Sequence, residues 1–420
     1  MKKAYTILLV TLSVIVLSWF LPWLYSLLFP VGASDPFIAY SPISDRMIVS
    51  ERTGEKESVI YPLDADGVRE EGVVYTKEQR DSLLPQLYFT QLVAREQMPD
   101  SINGIEISIP LLKHNSWVFT SSPRDINKRF ADVYLIMESM PARIDLEDPT
   151  EVFRFRDGRV EFIEMETNQI NQARSKRFTE IFNDRGFTLP VKSFSANITS
   201  RKAYDEGYLM VDDNGDIFHM KMQAGRPYMS KVRKPDSIRA AHVFIMENID
   251  KEAIGLMSDE THNLYLIERD GYRLCQLPVG KVDPEKDRFS VVKNLFNIIV
   301  RVSNQDGTRW SALDADDYSL LASYAKTSEK STVAKIGSYI FPYTLSFTST
   351  SDCYATPRIE SFSWAAFVLN AMFALVIFIV YRRRTADAIC RPALASLVTL
   401  VFGIFAFIPF IIIRNLVVVR

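Results

Sequence analysis

Gly207–Met222 reads GYLMVDDNGDIFHMKM. Two apolar runs, YLMV and IFHMKM, flank the dipeptide Asn214-Gly215. Asn-Gly between β-forming runs places a tight hairpin turn, because both central positions of that turn need positive φ. Val152–Ile163, VFRFRDGRVEFI, repeats the pattern around Asp157-Gly158. Gly255–Leu277 repeats it around Asp270-Gly271, and Ser290–Tyr324 around Asp306-Gly307. Upstream, Phe37–Asp66 holds the short apolar clusters FIAY, MIV and VIY, separated by turn residues. Four or five sheet units of this kind at irregular spacing fit β-propeller blades, which run to about 40–45 residues in the WD type. The same hairpins also build an α+β domain or a β-sandwich.

Helices interrupt the sheet units. Thr76-Lys77-Glu78-Gln79 has the T-x-x-Q pattern of a capping box. That helix is expected to end near Pro85, with a second over Gln86–Gln97 and a third over Ser175–Asp184, closed by Gly186. The fold class expected is therefore mainly β with inserted helices, propeller-like.

Three apolar stretches enclose this region: Ala4–Phe29, Trp364–Tyr381 and Pro392–Ile413. A helix needs about 20 apolar residues to cross a bilayer, so three transmembrane helices are expected. The first run is longer than the roughly 7–15 residues of a signal-peptide core, which argues for a retained anchor. Lys2 and Lys3 precede it, and the loop 382–391 between the second and third runs holds four arginines. Basic flanks stay cytoplasmic, so residues 31–362 become an extracytoplasmic, β-rich domain. Arg414 and Arg420 dissent from that orientation, as a snorkelling end would. Trp19, Phe20, Trp23 and Tyr25 stand at the distal end of the first run, where aromatic rings favour the membrane interface.

The chain's formal net charge of −2 hides an asymmetry. Eight basic residues and Asp387 lie outside residues 31–362, leaving 41 basic and 50 acidic residues inside, a net charge of −9. Such a surface repels nucleic acid and anionic lipid. Cys275, Cys353 and Cys390 give no metal spacing, and His114, His219, His242 and His262 are scattered.

Asp212, Asp213, Asn214 and Asp216 resemble a calcium loop, but an EF-hand needs glycine at position six and glutamate at twelve, where this sequence has Ile217 and Gln223. A solvated hairpin turn is the plainer reading, as it is for Asp314, Asp316 and Asp317. His219 lies in an alternating strand and reads as a packed or edge histidine. Asn197-Ile198-Thr199 matches a glycosylation sequon. Asn370, polar within the second apolar run, reads as a helix-packing residue. Cys275 and Cys353 together would close a loop of 79 residues, which the chain-entropy model values at roughly 4–5 kcal/mol; a free, buried Cys275 is the alternative. No nucleotide-binding loop, G-x-S-x-G or H-E-x-x-H pattern occurs. No catalytic, cofactor-binding or metal-binding residue is expected.

YSPISDRMIV, LLPQLYFTQLVAREQMPDSINGIEIS and GFTLPVKSFSANITSRKAYDEGYLMVDDNGDIFHMKMQAG resemble an uncharacterised bacterial membrane-protein family, a domain of unknown function, over most of residues 36–330. The resemblance implies no activity. Its layout is similar to subunits that accompany ATP-driven transporters. The expectation is a non-catalytic inner-membrane subunit, accessory to an envelope or ABC-type transporter complex, with a permease and an ATPase as partners. A periplasmic ligand-binding sensor and an envelope enzyme are the alternatives.

Overall fold

The computed structural model describes residues 2–30, 35–53, 57–64, 66–129, 132–328, 331–384 and 389–413. Arg414, Arg420 and Asp387 of the arginine-rich loop lie outside the described residues. The chain divides into two compact units, Asp35–Thr327 and the pair Met1–Ser34 with Ser328–Arg420.

The Asp35–Thr327 unit is mainly β. Its first sheet has strands Phe37–Ser41, Arg46–Arg52 and Ser58–Pro62. The second has Tyr134–Leu135, Glu151–Arg156 and Arg159–Glu164. The third runs Ser193–Ala196, Tyr208–Val211, Ile217–Gln223 and Arg226–Lys231. The fourth runs Ala240–Ile245, Ala253–Asp259, Leu264–Glu268 and Leu274–Leu277. The fifth has Arg288–Lys293, Asn297–Ser303, Gly307–Asp314 and Leu320–Thr327, and recruits Trp117–Ser121 as an edge strand. All are antiparallel meanders, as short turns between consecutive strands require. The expected turns lie at or between strand ends, but the paired positive φ expected of a two-residue turn is met only at Asp157-Gly158, 50° and 73°; at Asn214-Gly215, Asp270-Gly271 and Asp306-Gly307 the glycine alone is positive.

The sheets pack face to face: the first, third, fourth and fifth bury apolar side chains on both faces, and the second on one. Phe153 and Phe162 of the second meet Tyr208, Met210, Phe218 and Met220 of the third. Leu209, Val211 and Ile217 of the third meet Val243, Ile254, Met257 and Ile267 of the fourth. Leu256, Leu264 and Leu266 of the fourth meet Phe289, Val291 and Val300 of the fifth. Ile299, Trp310 and Ala312 of the fifth meet Tyr40, Met47 and Val49 of the first. Burying each such side chain is worth about 1.5–3 kcal/mol. Among the described residues the series does not close. The remaining face of the first sheet is covered by helices Lys77–Leu83 and Pro85–Ala94, through Leu84 and Leu87. The capping box is formed: the Thr76 hydroxyl accepts from the Gln79 amide at 3.2 Å, and the Gln79 side chain accepts from the Thr76 amide at 2.8 Å. Helix Gln172–Asp184 packs Phe178 and Phe182 into the core of the second and third sheets, and Gly186 follows it at φ 72°.

The other unit is helical, with a two-stranded hairpin, Tyr343–Ser346 and Arg358–Phe362. Residues 328–362, expected to end the β-rich domain, group with the helices. Helix Lys2–Leu28 runs through Pro22, and a second helix spans Ala366–Arg384. Among the described residues, these two are long and apolar enough to cross a membrane. The third expected span is corrected. Pro392–Ile413 does not form one helix: it breaks at Gly403, φ 56° and ψ −133°, into Cys390–Phe402 and Ile404–Ile412. Apolarity predicts burial in lipid or core, but a single glycine in a conformation closed to other residues decides continuity.

Candidate functional site

The strand Ile217–Gln223, IFHMKMQ, sorts its side chains by alternation. Phe218, Met220 and Met222 enter the core shared with the second sheet. His219, Lys221 and Gln223 turn toward the fourth sheet, where the apolar filling of Leu209, Val211 and Ile217 ends. There they line a cleft of about 340 Å³ with Tyr228, Ile254, Arg269 and Tyr272. Tyr228 stands on the adjacent strand, in register with Lys221. Arg269 and Tyr272 belong to the turn between two strands of the fourth sheet.

Glu206 anchors the cleft. It is 1% exposed and forms ion pairs with both Lys221 and Arg269. Burial alone would raise its pKa, but hydrogen bonds from Lys221 and Arg269 overcome that and hold it below the usual value. The Arg269 Nε also donates to the Lys251 carbonyl at 2.7 Å, which fixes the guanidinium plane.

His219 is 2% exposed, and both ring nitrogens are engaged. Nε2 lies 2.6 Å from the Glu206 carbonyl oxygen, which only accepts, so Nε2 carries the proton. Nδ1 then accepts from the Tyr272 hydroxyl at 2.8 Å. The Tyr228 hydroxyl stands 3.2 Å from that of Tyr272, and donates to it. Burial first, and Lys221 second, push the His219 pKa down to about 4, so the ring is neutral near pH 7. Burial likewise drives the Tyr272 pKa upward. Tyr272 takes φ 54°, a left-handed conformation uncommon for a bulky side chain, of the kind that clusters at functional sites.

A second set of buried charges adjoins the first. Lys202 donates to Asp205 at 2.6 Å and to Glu247 at 2.5 Å. Glu247 also accepts from the Glu206 amide at 2.8 Å. Further along, Asp250 accepts from the Trp117 indole at 2.8 Å and from Lys293 at 3.4 Å. Each acid sits in the loop before the second strand of its sheet, so the fold repeats the position.

The residues singled out from sequence scatter over the molecule. Asp212 is fully buried and accepts from the backbone amides of Asn214, Asp216 and Thr188 at 3.0, 2.8 and 3.2 Å. It closes a turn, as Asp259 does through the amides of Thr261 and Asn263 at 2.8 Å each. Asp216 pairs with Lys231 and Lys234. Asp314 accepts from the amides of Asp316 and Asp317 in another turn. Asn197 donates to Glu247 at 2.7 Å. No disulfide joins Cys275 to Cys353. The Cys275 thiol donates to Glu268 at 3.4 Å, and burial pushes its pKa up to about 11. Asn370 is buried against helix Cys390–Phe402. Of all these, only His219 lies in the cleft. Its neighbours were missed because they come from three separate strands and a turn. The one local signal was the polar alternation His219, Lys221, Gln223 in a strand whose other face is wholly apolar.

The arrangement is built to hold charge still. Both cations that line the cleft, Lys221 and Arg269, are paired with Glu206.

The family model described as "Domain of unknown function (DUF4857)" matches residues 37–313. No curated protein matches the sequence. Similar solved structures are propellers. The Dos1 propeller has 9% identity and a TM-score of 0.26 over 43% of this chain and 46% of that one. The Cps50 (Swd1) β-propeller domain of Myceliophteria thermophila has 13% identity and a TM-score of 0.25 over 48% and 58%. The WD40 domain of SCAP from fission yeast has 10% identity and a TM-score of 0.28 over 76% and 78%. The chain thus spans about half the length of the first two.

Proposed function

The chain belongs to the DUF4857 family, and from that premise and its own geometry we propose that it is a non-catalytic subunit of a bacterial envelope complex. In this reading it is held in the inner membrane, with a propeller-like Asp35–Thr327 unit on the periplasmic side. The observation that carries the proposal is the bracketing of one β unit by apolar helices, Lys2–Leu28 before it and Ala366–Arg384 after it. Lys2, Lys3 and Arg382–Arg384 are the basic flanks that would keep both helix ends cytoplasmic. The broken helix pair Cys390–Ile412 packs beside them, with Phe405 and Ala406 against Val10 and Val14. So few helices do not enclose a path for a solute, so transport would need partner chains, a permease and an ATPase. The charge pairing around Glu206 favours binding over turnover.

Two experiments test this. Isolation of the tagged full chain in mild detergent should bring down a permease and an ATPase in stoichiometric amounts; a monodisperse lone chain would count against the reading. Independently, Ser44→Cys and Asp306→Cys, with Cys275 and Cys353 replaced by serine, should react with an impermeant thiol reagent in intact spheroplasts. Cys390 should react only after lysis, and its labelling before lysis would reverse the orientation.

A further inference from the structure

We propose that the cleft between the third and fourth sheets is a binding site for a small organic carboxylate with a compact apolar body. The inference goes beyond the membrane-subunit reading and does not depend on it. Three observations carry it. First, two cations line the cleft, Lys221 and Arg269; both meet the same carboxylate, Glu206, while burial keeps His219 neutral. The residues that line the cleft thus present two cations and no carboxylate to a ligand. Second, Arg269 is oriented before any ligand arrives. Its Nε is held by the Lys251 carbonyl and one terminal nitrogen by Glu206. The Arg269 side chain is 35% exposed, and a planar fork matches a carboxylate better than a point charge does. Third, the cleft has an apolar wall, Ile254 with the rings of Tyr228 and Tyr272. A bare oxyanion would leave that wall wet, whereas an apolar body covers it.

The volume, about 340 Å³, suits a small molecule. The hydroxyl relay gives the site its polarity. Tyr228 donates to Tyr272 and Tyr272 donates to His219, so the Tyr228 oxygen keeps its acceptor capacity toward the cleft. Lys221 and Arg269 supply the donors. A ligand is thereby read at two ends: its carboxylate by the cations, and a donor group, if it has one, by Tyr228. The Glu206 carbonyl, by fixing the proton on Nε2 of His219, sets the relay's direction.

The test uses the full chain in detergent, titrated calorimetrically with benzoate, with 4-hydroxybenzoate and with inorganic phosphate. Saturable binding of the two aromatic acids, with phosphate much weaker, is the expected result, and 4-hydroxybenzoate should bind tighter than benzoate through Tyr228. Arg269→Lys keeps the pair with Glu206 and loses the fork, and should weaken benzoate about tenfold. Tyr228→Ala lies on a side chain that is 40% exposed, leaves the buried charges intact and should weaken both acids. Binding unchanged in both variants would place the ligand elsewhere. Phosphate binding as tightly as benzoate, or no saturable binding of either acid by folded protein, would overturn the proposal.

Discussion

The side-chain amide of Asn370 donates to the carbonyl of Leu400 at 3.1 Å, from one helix to its neighbour. In an unbroken helix that carbonyl would accept from residue 404. The chain breaks at Gly403 instead, and Asn370 supplies the missing donor. The fit is close: a Cβ on Gly403 would stand 2.1 Å from Asn370 Oδ1. Backbone groups in an apolar setting must be satisfied internally, so break and amide form one device.

The first prediction follows from that pairing. Asn370→Ala strands the Leu400 carbonyl and should cost about 1–2 kcal/mol. Gly403→Ala introduces both the clash and a strained φ, and should cost at least as much. In the double variant the clash is relieved, so the losses should combine to less than their sum. Thermal midpoints of the four proteins in one detergent provide the cycle. Strict additivity would mean that the two positions act independently.

His219 predicts a pH dependence. Its folded pKa, about 4, lies below the ordinary 6.5, so between those values the unfolded chain binds a proton that the folded chain refuses. Stability is therefore complete above pH 6.5 and falls as the pH drops toward 4, by roughly 3 kcal/mol in all. His242, also lowered, chiefly by burial, acts in the same direction. Glu206, held below its ordinary value of 4.5, contributes only at the acid end of that window and beneath it. Lys221, Arg269, Glu206, Tyr272 and Tyr228 face the imidazole, and replacing it by glutamine should flatten the slope between pH 6.5 and 4.5. Denaturant midpoints across that range are the measurement. A slope equal to that of the parent would show that His219 does not titrate there.

Much of the β unit was legible because turn chemistry is local. Asp157-Gly158 and Thr76 with Gln79 act on their own neighbours and do what their residues require, while at Asn214-Gly215 the glycine alone takes positive φ, in a longer turn over Asp212–Asp216. The face-to-face order of the sheets was not legible. Nothing in FIAYS announces that Tyr40 will meet Trp310, more than 250 residues on. The third apolar run misled for a related reason: hydropathy measures where a segment goes, and Gly403 with Asn370 decides its shape. The cleft was hidden because Glu206, Lys221 and Arg269 converge only once the third and fourth sheets stack. The alternation of His219, Lys221 and Gln223 was its one trace.

Gly255 marks how tightly those two sheets stack. It lies at a bulge in the strand Ala253–Asp259, where register shifts between Ala253 and Gly255. A Cβ there would approach Leu209 of the third sheet to 2.4 Å and the Phe244 carbonyl to 2.2 Å. Gly255→Ala should therefore destabilise by about 1–3 kcal/mol. The smaller partner Leu209→Ala should recover part of that loss in combination, although alone it leaves a cavity. Urea midpoints decide the matter, and a neutral Gly255→Ala would mean that the stacking is looser than these distances.

The contact between the first and fifth sheets carries the last prediction. Trp310 is 2% exposed, packed with Ile38, Tyr40, Met47 and Tyr61. Asn297 adds a hydrogen bond from its side chain to the Tyr40 carbonyl at 3.3 Å, and Gln86 another at 3.1 Å. The first sheet has three strands, a size that rarely stands alone without a packed face. Trp310→Ala should cost about 3–5 kcal/mol, and the loss should be local at first. Strands Phe37–Pro62 should become sensitive to protease before the third and fourth sheets do, because Leu209, Val243 and Ile254 belong to a separate core cluster. Limited proteolysis read by mass spectrometry, at denaturant concentrations below the global midpoint, gives the order of cleavage. Cuts appearing first between residues 193 and 277, with the first sheet still intact, would show that Phe37–Pro62 is stabilised by the helices Lys77–Leu83 and Pro85–Ala94 rather than by Trp310.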